Sequence, residues 1–263
     1  MFSKNMPLKD EISWGKGSRF EIEYINYCLE QADETFQQGL FIAKQVPLSD
    51  SYSKAIDLGC GIGTQICAIS EFIQNAQGVD ISPLALKYAH EISKLKNSSA
   101  SFINENILSP ETITESSLIT CLNNTFGLLS DYESETLLSS IFTNLRSKGT
   151  LVLSFDNREQ IVEKMSFHIG SGKKWKEENG IVSCKTEFFD LLNGRYNLKE
   201  EFMDIKTGEK TTEPYSSVRL YALSELNLML ENNGFEIESV FGDYDGSEYS
   251  VISPYMIVFA KKP

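Results

Sequence analysis

"AIDLGCGIGTQ", residues 55–65, decides how this chain is to be read. Ala55 to Leu58 make a short apolar run that suits a buried strand, interrupted by one carboxylate, Asp57. Gly59, Gly61 and Gly63 follow at two-residue intervals, and Ile62, Ile66, Ile69 and Ile73 then recur along one helical face. A strand that runs through three glycines into a helix puts backbone N–H groups at the carboxyl edge of a sheet, where open α/β sheets take their ligands. Lacking side chains, the turn lets its backbone come close to whatever binds there.

The same alternation extends outward. "GVDI" reads as the next strand, followed by "SPLALKYAHEISKL", in which Ser82 is an N-cap and Pro83 the first helical residue. "ASFINENIL" and "LITCLNN" supply a third and a fourth strand. "SETLLSSIFTNL" presents Leu137, Leu138, Ile141, Phe142 and Leu145 on one helical face, and Lys148 and Gly149 turn the chain into the strand "TLVLSF". Upstream, residues 19–44 read as one helix with Phe20, Tyr24, Tyr27 and Cys28 at helical spacing. Short β–α units of this kind predict an α/β doubly wound sheet, mostly parallel and covered on both faces.

From about residue 158 the period changes to two, as in Tyr196, Leu198 and Phe202, and Asn193-Gly194 and Thr207-Gly208 suit tight hairpin turns. This predicts an inserted antiparallel β layer. The α/β pattern then resumes with the helix "LSELNLMLENNGF", for which Ser224 is the expected N-cap and Gly234 the stop, and ends in two strands, "EIESVFG" and "PYMIVFAKKP".

Bulk properties narrow the function. The 263 residues carry 24 basic against 37 acidic side chains, a net charge of −13, so most of the surface repels a phosphate backbone and no nucleic-acid partner is expected. The basic cluster "KKWK" at 173–176 reads as a solvated turn beside "EEN". Five cysteines without a C-x-x-C pair and two histidines support neither a disulfide framework nor a metal site. With no signal-peptide core and no run of about 18 apolar residues, no membrane partner is expected and the chain is read as cytoplasmic. "GDYDG" at 242–246 is too short for a calcium loop and reads as a plain turn.

Two ligands compete for the glycine turn. A dinucleotide fold wants G-x-G-x-x-G; here the third glycine comes one residue early and Thr64 stands in the last position. "IDLGCGIGT" instead resembles motif I of the class I S-adenosylmethionine-dependent methyltransferases, with good register over roughly residues 55–155. The resemblance implies a seven-stranded, mostly parallel sheet with an antiparallel final strand. It implies S-adenosylmethionine as cofactor, wrapped by Gly59, Cys60, Gly61 and Gly63, with Asp57 helping to hold its ammonium. Asp80, ending the second strand, can accept both ribose hydroxyls, and Ile81 would lie against the adenine.

By the same resemblance Asn106 takes the adenine amino group with Ile107 behind it, Glu105 being the adjacent alternative. Leu122 and Asn123 line the cofactor. Asn124 and Phe126 are candidates for the substrate mouth, although Phe126 fits core filling equally well. The chain then divides into an N-terminal helical cap (1–50), to which Tyr24 or Arg19 could contribute, a methyltransferase core (51–157 and 222–263) and an antiparallel lid (158–221), similar to that of small-molecule N- and O-methylating enzymes. Arg219 is either a contact for an anionic substrate or half of a structural ion pair. In-line approach and desolvation supply most of what methyl transfer needs, so no base is compulsory; His168 and Tyr221 are weak catalytic candidates and His90 is read as structural. The expected function is methyl transfer to a nitrogen or oxygen of a small molecule, the alternatives being a non-catalytic S-adenosylmethionine-binding module and a nicotinamide oxidoreductase.

Overall fold

A computed structural model describes residues 19–47, 53–166, 172–178, 180–212 and 216–263. Seven strands form the main sheet: β1 (Lys54–Leu58), β2 (Asn75–Asp80), β3 (Ser101–Asn104), β4 (Ser116–Cys121), β5 (Leu145–Asp156), β11 (Glu236–Phe241) and β12 (Tyr255–Lys261). Their order is β11-β12-β5-β4-β1-β2-β3. The pairs β1–β2, β1–β4, β2–β3 and β4–β5 are parallel, while β12 runs antiparallel to both β5 and β11. The chain winds outward from β1 in one direction through β2 and β3 and in the other through β4 and β5, so the topological switch lies between β1 and β4. A ligand crevice opens there, beyond the carboxyl ends of the strands.

Alternation along β1 decides which face carries chemistry. Ile56 and Leu58 join the core under α5 (Asp131–Asn144) and α7 (Leu223–Asn232), whereas Ala55 packs in the opposite core with Ile42 of α2 (Ala32–Gln45) and Ile66 of α3 (Thr64–Ile69). Asp57 therefore shares the α2–α3 side with Ala55. The helix α4 (Pro83–Leu95) starts as its sequence dictates: Ser82 Oγ accepts from the Ala85 N–H at 3.0 Å and Pro83 follows at the first position. His90 on α4 meets Phe102 edge to face.

A second, antiparallel sheet contains β6 (Gly172–Glu178), β7 (Ile181–Asp190), β8 (Arg195–Asp204), β9 (Lys210–Thr212) and β10 (Ser216–Arg219), in the order β10-β8-β7-β6 with β9 on β8. The expected turns are there, with Gly194 at φ 61° and Gly208 at φ 70°. A helix, α6 (Arg158–Ser166), precedes this sheet, where strands alone were anticipated.

Four other expectations are corrected. Residues 19–44 form two helices, α1 (Arg19–Glu30) and α2, separated at Gln31 alone, where the Gln31 N–H still donates to Tyr27 O and the Thr35 N–H to Gln31 O. Leu145 begins β5 instead of ending the helix, and Lys148, at φ 63°, forms a bulge within that strand. Ser224 does not cap α7; Ala222 occupies the N-cap, since the buried Tyr221 fixes the chain one residue before it. The cluster 173–176 is an exposed edge strand and not a turn, a place where lysines discourage pairing with another sheet.

Candidate active site

The glycine turn is a rigid object. Gly59, Gly61 and Gly63 all have positive φ (75°, 53° and 76°), a region that L-residues with a Cβ rarely adopt. The N–H groups of Gly59 and Cys60 both donate to Val79 O, at 2.8 and 3.0 Å, tying the turn to β2. Its outer side is open: among the described residues, a Cβ built on Gly61 would meet no atom beyond its chain neighbours within 4 Å. The turn thus offers backbone to an empty space at the sheet edge, which suits a ligand such as the cofactor implied by the sequence.

Two carboxylates flank it. Asp80 Oδ2 accepts from the Gly61 N–H and Oδ1 from the Ser82 N–H, both at 2.8 Å, so the carboxylate is oriented before any ligand arrives. Burial raises Asp80, and its backbone hydrogen bonds oppose that shift. Asp57 is buried, and Thr120 Oγ1, one strand away on β4, donates to its Oδ1 at 2.7 Å. Desolvation pushes Asp57 up to about 7, partly countered by the Thr120 bond.

α1 closes one side. Glu21 is buried and accepts from Ser82 Oγ. Tyr24 keeps 38% of its surface exposed, but its hydroxyl end is shielded enough that burial raises the phenol, with Cys28 and Asp80 adding to the effect.

At the other side, the Asn124 and Asp156 side chains lock together. Asn124 Nδ2 donates to Asp156 Oδ2 at 2.9 Å, and the Asp156 N–H donates to Asn124 Oδ1 at 2.8 Å. Asn123 and Asn124 both take positive φ, 52° and 66°, and the Asn123 N–H donates to Ser154 Oγ. Burial raises Asp156, opposed by Asn124 and Lys164. Tyr196 of β8 and Tyr255 of β12 both lie in the field of Asp156.

The remaining sequence candidates fall in various places. Cys60 and Leu122 are buried behind the turn, and Ile81 stands half exposed at the sheet edge. Asn106 is exposed, with Oδ1 accepting from the Leu108 N–H in a local turn, while Ile107 packs against the core. Phe126 is fully buried against Phe155 and Tyr221, which makes it packing and not a pocket wall. Tyr221 is likewise buried, its hydroxyl 3.2 Å from Ser134 Oγ. Arg219 pairs with Glu225 and Asp131 and covers the Tyr221 ring, so its charge serves the fold. His168 lies outside the described residues. Among the described residues no group of three or more side chains could hold a metal ion, and no helix is long and apolar enough to cross a membrane.

The sequence reading missed Glu21, Thr120 and Asp156. Asp156 had a signal, since it ends "LVLSFD" as Asp80 ends "GVD"; Thr120 had none, because only strand pairing brings it to Asp57.

Residues 49–205, more than half of the chain, match the family described as "Methyltransferase domain". The chain belongs to that family. No curated protein sequence matches it. Its fold is that of a methyltransferase from Clostridium acetobutylicum described as S-adenosylmethionine-dependent (TM-score 0.70, 15% identity, 92% of this chain and 98% of that one). Also similar are the CcbJ methyltransferase from Streptomyces caelestis (TM-score 0.68, 18% identity, 87% and 89%) and an amino pentose methyltransferase from Micromonospora echinaspora (TM-score 0.55, 15% identity, 95% and 94%).

Proposed function

We propose that the protein transfers the methyl group of S-adenosylmethionine to a nitrogen atom of a small molecule. When bound, the cofactor supplies a methyl group already activated on a sulfonium. The chain's own residues would bind and orient it: the turn at Gly59–Gly63 would receive the cofactor closely, Asp80 would accept from the ribose hydroxyls, and Asp57 would hold the ammonium. The second sheet serves as a lid that excludes water and shapes the choice of acceptor.

One observation favours nitrogen. Asp156 is a largely buried carboxylate at the same sheet edge as Asp57 and Asp80, fixed by Asn124 and raised by desolvation. Such a group could hold an ammonium and take its proton at the carboxylate, which would leave a neutral amine free to serve as methyl acceptor. The resemblance to an amino pentose methyltransferase supports the same reading.

The deciding experiment offers labelled S-adenosylmethionine to paired small molecules that differ only in amine or hydroxyl. Label is expected in the amines. Label in the hydroxyl members alone overturns the nitrogen assignment. Cofactor binding without transfer to any acceptor identifies a binding module, and no binding of S-adenosylmethionine or S-adenosylhomocysteine removes the donor reading.

A further inference from the structure

The loop 242–246 between β11 and β12 reads in sequence as a plain turn, but it delivers Tyr244 to the sheet edge. The Tyr244 hydroxyl is buried and has no hydrogen-bond partner among the described residues. Its ring is fixed by edge contacts with Phe41 of α2 (centroids 6.0 Å apart) and with Tyr255 (5.6 Å). The loop is pinned too: Gly242 N–H donates to Ser247 O at 2.8 Å and Tyr255 N–H to Gly242 O at 3.0 Å. The hydroxyl therefore cannot swing out to water without repacking this aromatic group.

Its surroundings are specific. Ser154 is the polar side chain that lowers the phenol, although the pair falls short of hydrogen-bond geometry; Ser154 Oγ accepts from the Asn123 N–H at 2.8 Å. Burial raises the phenol and keeps it protonated, and Tyr255, Asp57 and Asp243 add to that rise. Ser154 on β5 and Asp80 on β2 stand on opposite sides of β1 in the sheet order, so Tyr244 is remote from the ribose end of the crevice. A buried hydroxyl without a partner is costly and uncommon in folded proteins, and calls for a group that completes it.

We propose that the Tyr244 hydroxyl, together with Asp57, is a ligand for the charged amino-acid end of the bound cofactor. A phenol can donate to the carboxylate there and accept from the ammonium. This rests on S-adenosylmethionine being the donor, and the test separates the two ideas.

Calorimetry on wild type and Tyr244→Phe compares S-adenosylhomocysteine with 5′-methylthioadenosine, which lacks the amino-acid end, and thermal unfolding is measured without ligand. The variant is expected to bind S-adenosylhomocysteine about tenfold more weakly, equivalent to about 1.4 kcal/mol. Its affinity for methylthioadenosine should match wild type, and its Tm should be no lower. Unchanged S-adenosylhomocysteine affinity overturns the proposal. Equal loss for both nucleosides overturns it as well, because the ring has then merely shifted. A lower Tm with unaltered binding assigns the hydroxyl to the fold instead. If wild type binds neither nucleoside, the donor reading itself fails.

Discussion

Asp57 couples folding to ligand binding through its ionisation. Its carboxyl sits near 7 in the folded protein because burial outweighs the Thr120 hydrogen bond, whereas an unfolded Asp titrates near ~3.9. Between those values the folded chain binds more protons than the unfolded one, so this residue's contribution to stability is present below about 4 and is lost as pH rises towards 7. Binding a cofactor ammonium requires the ionised form and runs the other way. Affinity for S-adenosylhomocysteine is therefore expected to tighten on the order of tenfold from pH 6 to pH 8, as a single titration near 7 dictates. In Asp57→Asn that pH dependence disappears, and urea unfolding of the ligand-free variant declines less steeply over the same range; Asp80 and Asp156, also raised, preserve part of the slope. Calorimetry at both pH values, with unfolding curves between them, checks both signs. Asp57 and the three glycines were legible as a group because their spacing lies within one β–turn–α unit, and Asp80 because it ends the next strand. Asp156 carried one mark, that it ends a strand as Asp80 does, but its bond to Asn124 did not show, and Tyr244 carried none, because its neighbours lie on strands and helices distant in sequence.

Among the elements, the crossing of α2 on α3 shows where local pattern stops being informative. Helical periodicity runs without interruption from residue 19 to 44, and nothing in it marks the break at Gln31. Packing adds what the periodicity omits: a Cβ on Gly39 would stand 2.5 Å from Gln65 O and 2.8 Å from both Gln65 Cα and Ala68 Cβ. So close an approach fixes the direction of α2, while the buried Glu21 draws α1 towards Ser82. A larger residue at position 39 gains helix propensity, worth up to about 1 kcal/mol for alanine and less for a β-branched side chain. Against that stands overpacking onto backbone that cannot yield, typically ~1–3 kcal/mol. Gly39→Val is accordingly expected to lose about 2 kcal/mol, seen as a Tm lower by roughly 4–8 °C. A thermal melt tests this, and an unchanged Tm would mean that the two helices can separate freely. By contrast, the start of α4 was readable from Ser82 and Pro83, because caps are local chemistry; α7 was not, since the burial of Tyr221 displaced its expected cap by two residues.

At the scale of the whole molecule, the seven-stranded, mostly parallel sheet with its antiparallel final strand was legible from strand and helix alternation and from motif I, but the joint between the two sheets was not. That joint is Arg195 on β8. Its Nη1 donates to Leu129 O at 3.3 Å and its Nη2 to Gly127 O at 3.2 Å, while Nε reaches Ser217 Oγ and Nη2 also Ser217 O, both at 2.9 Å. One guanidinium thus ties β8 and β10 to the short 3₁₀ turn (Thr125–Leu128) that follows Asn124. Only a planar fork can serve carbonyls in these separate directions, so lysine is no substitute. The neighbouring residue on β8, Tyr196, lies in the field of Asp156, and loosening the joint should blur the acceptor side while leaving the glycine turn intact. For Arg195→Ala and Arg195→Lys alike, kcat/KM for the methyl acceptor is expected to fall by about tenfold or more, a loss of at least ~1.4 kcal/mol of transition-state stabilisation. S-adenosylhomocysteine affinity should change little, because none of the atoms that Arg195 touches belongs to the turn or to Asp57 and Asp80. Steady-state kinetics beside calorimetry reads the split directly: an equal loss of cofactor affinity would show that the second sheet supports the whole crevice rather than acting as a lid over the acceptor alone.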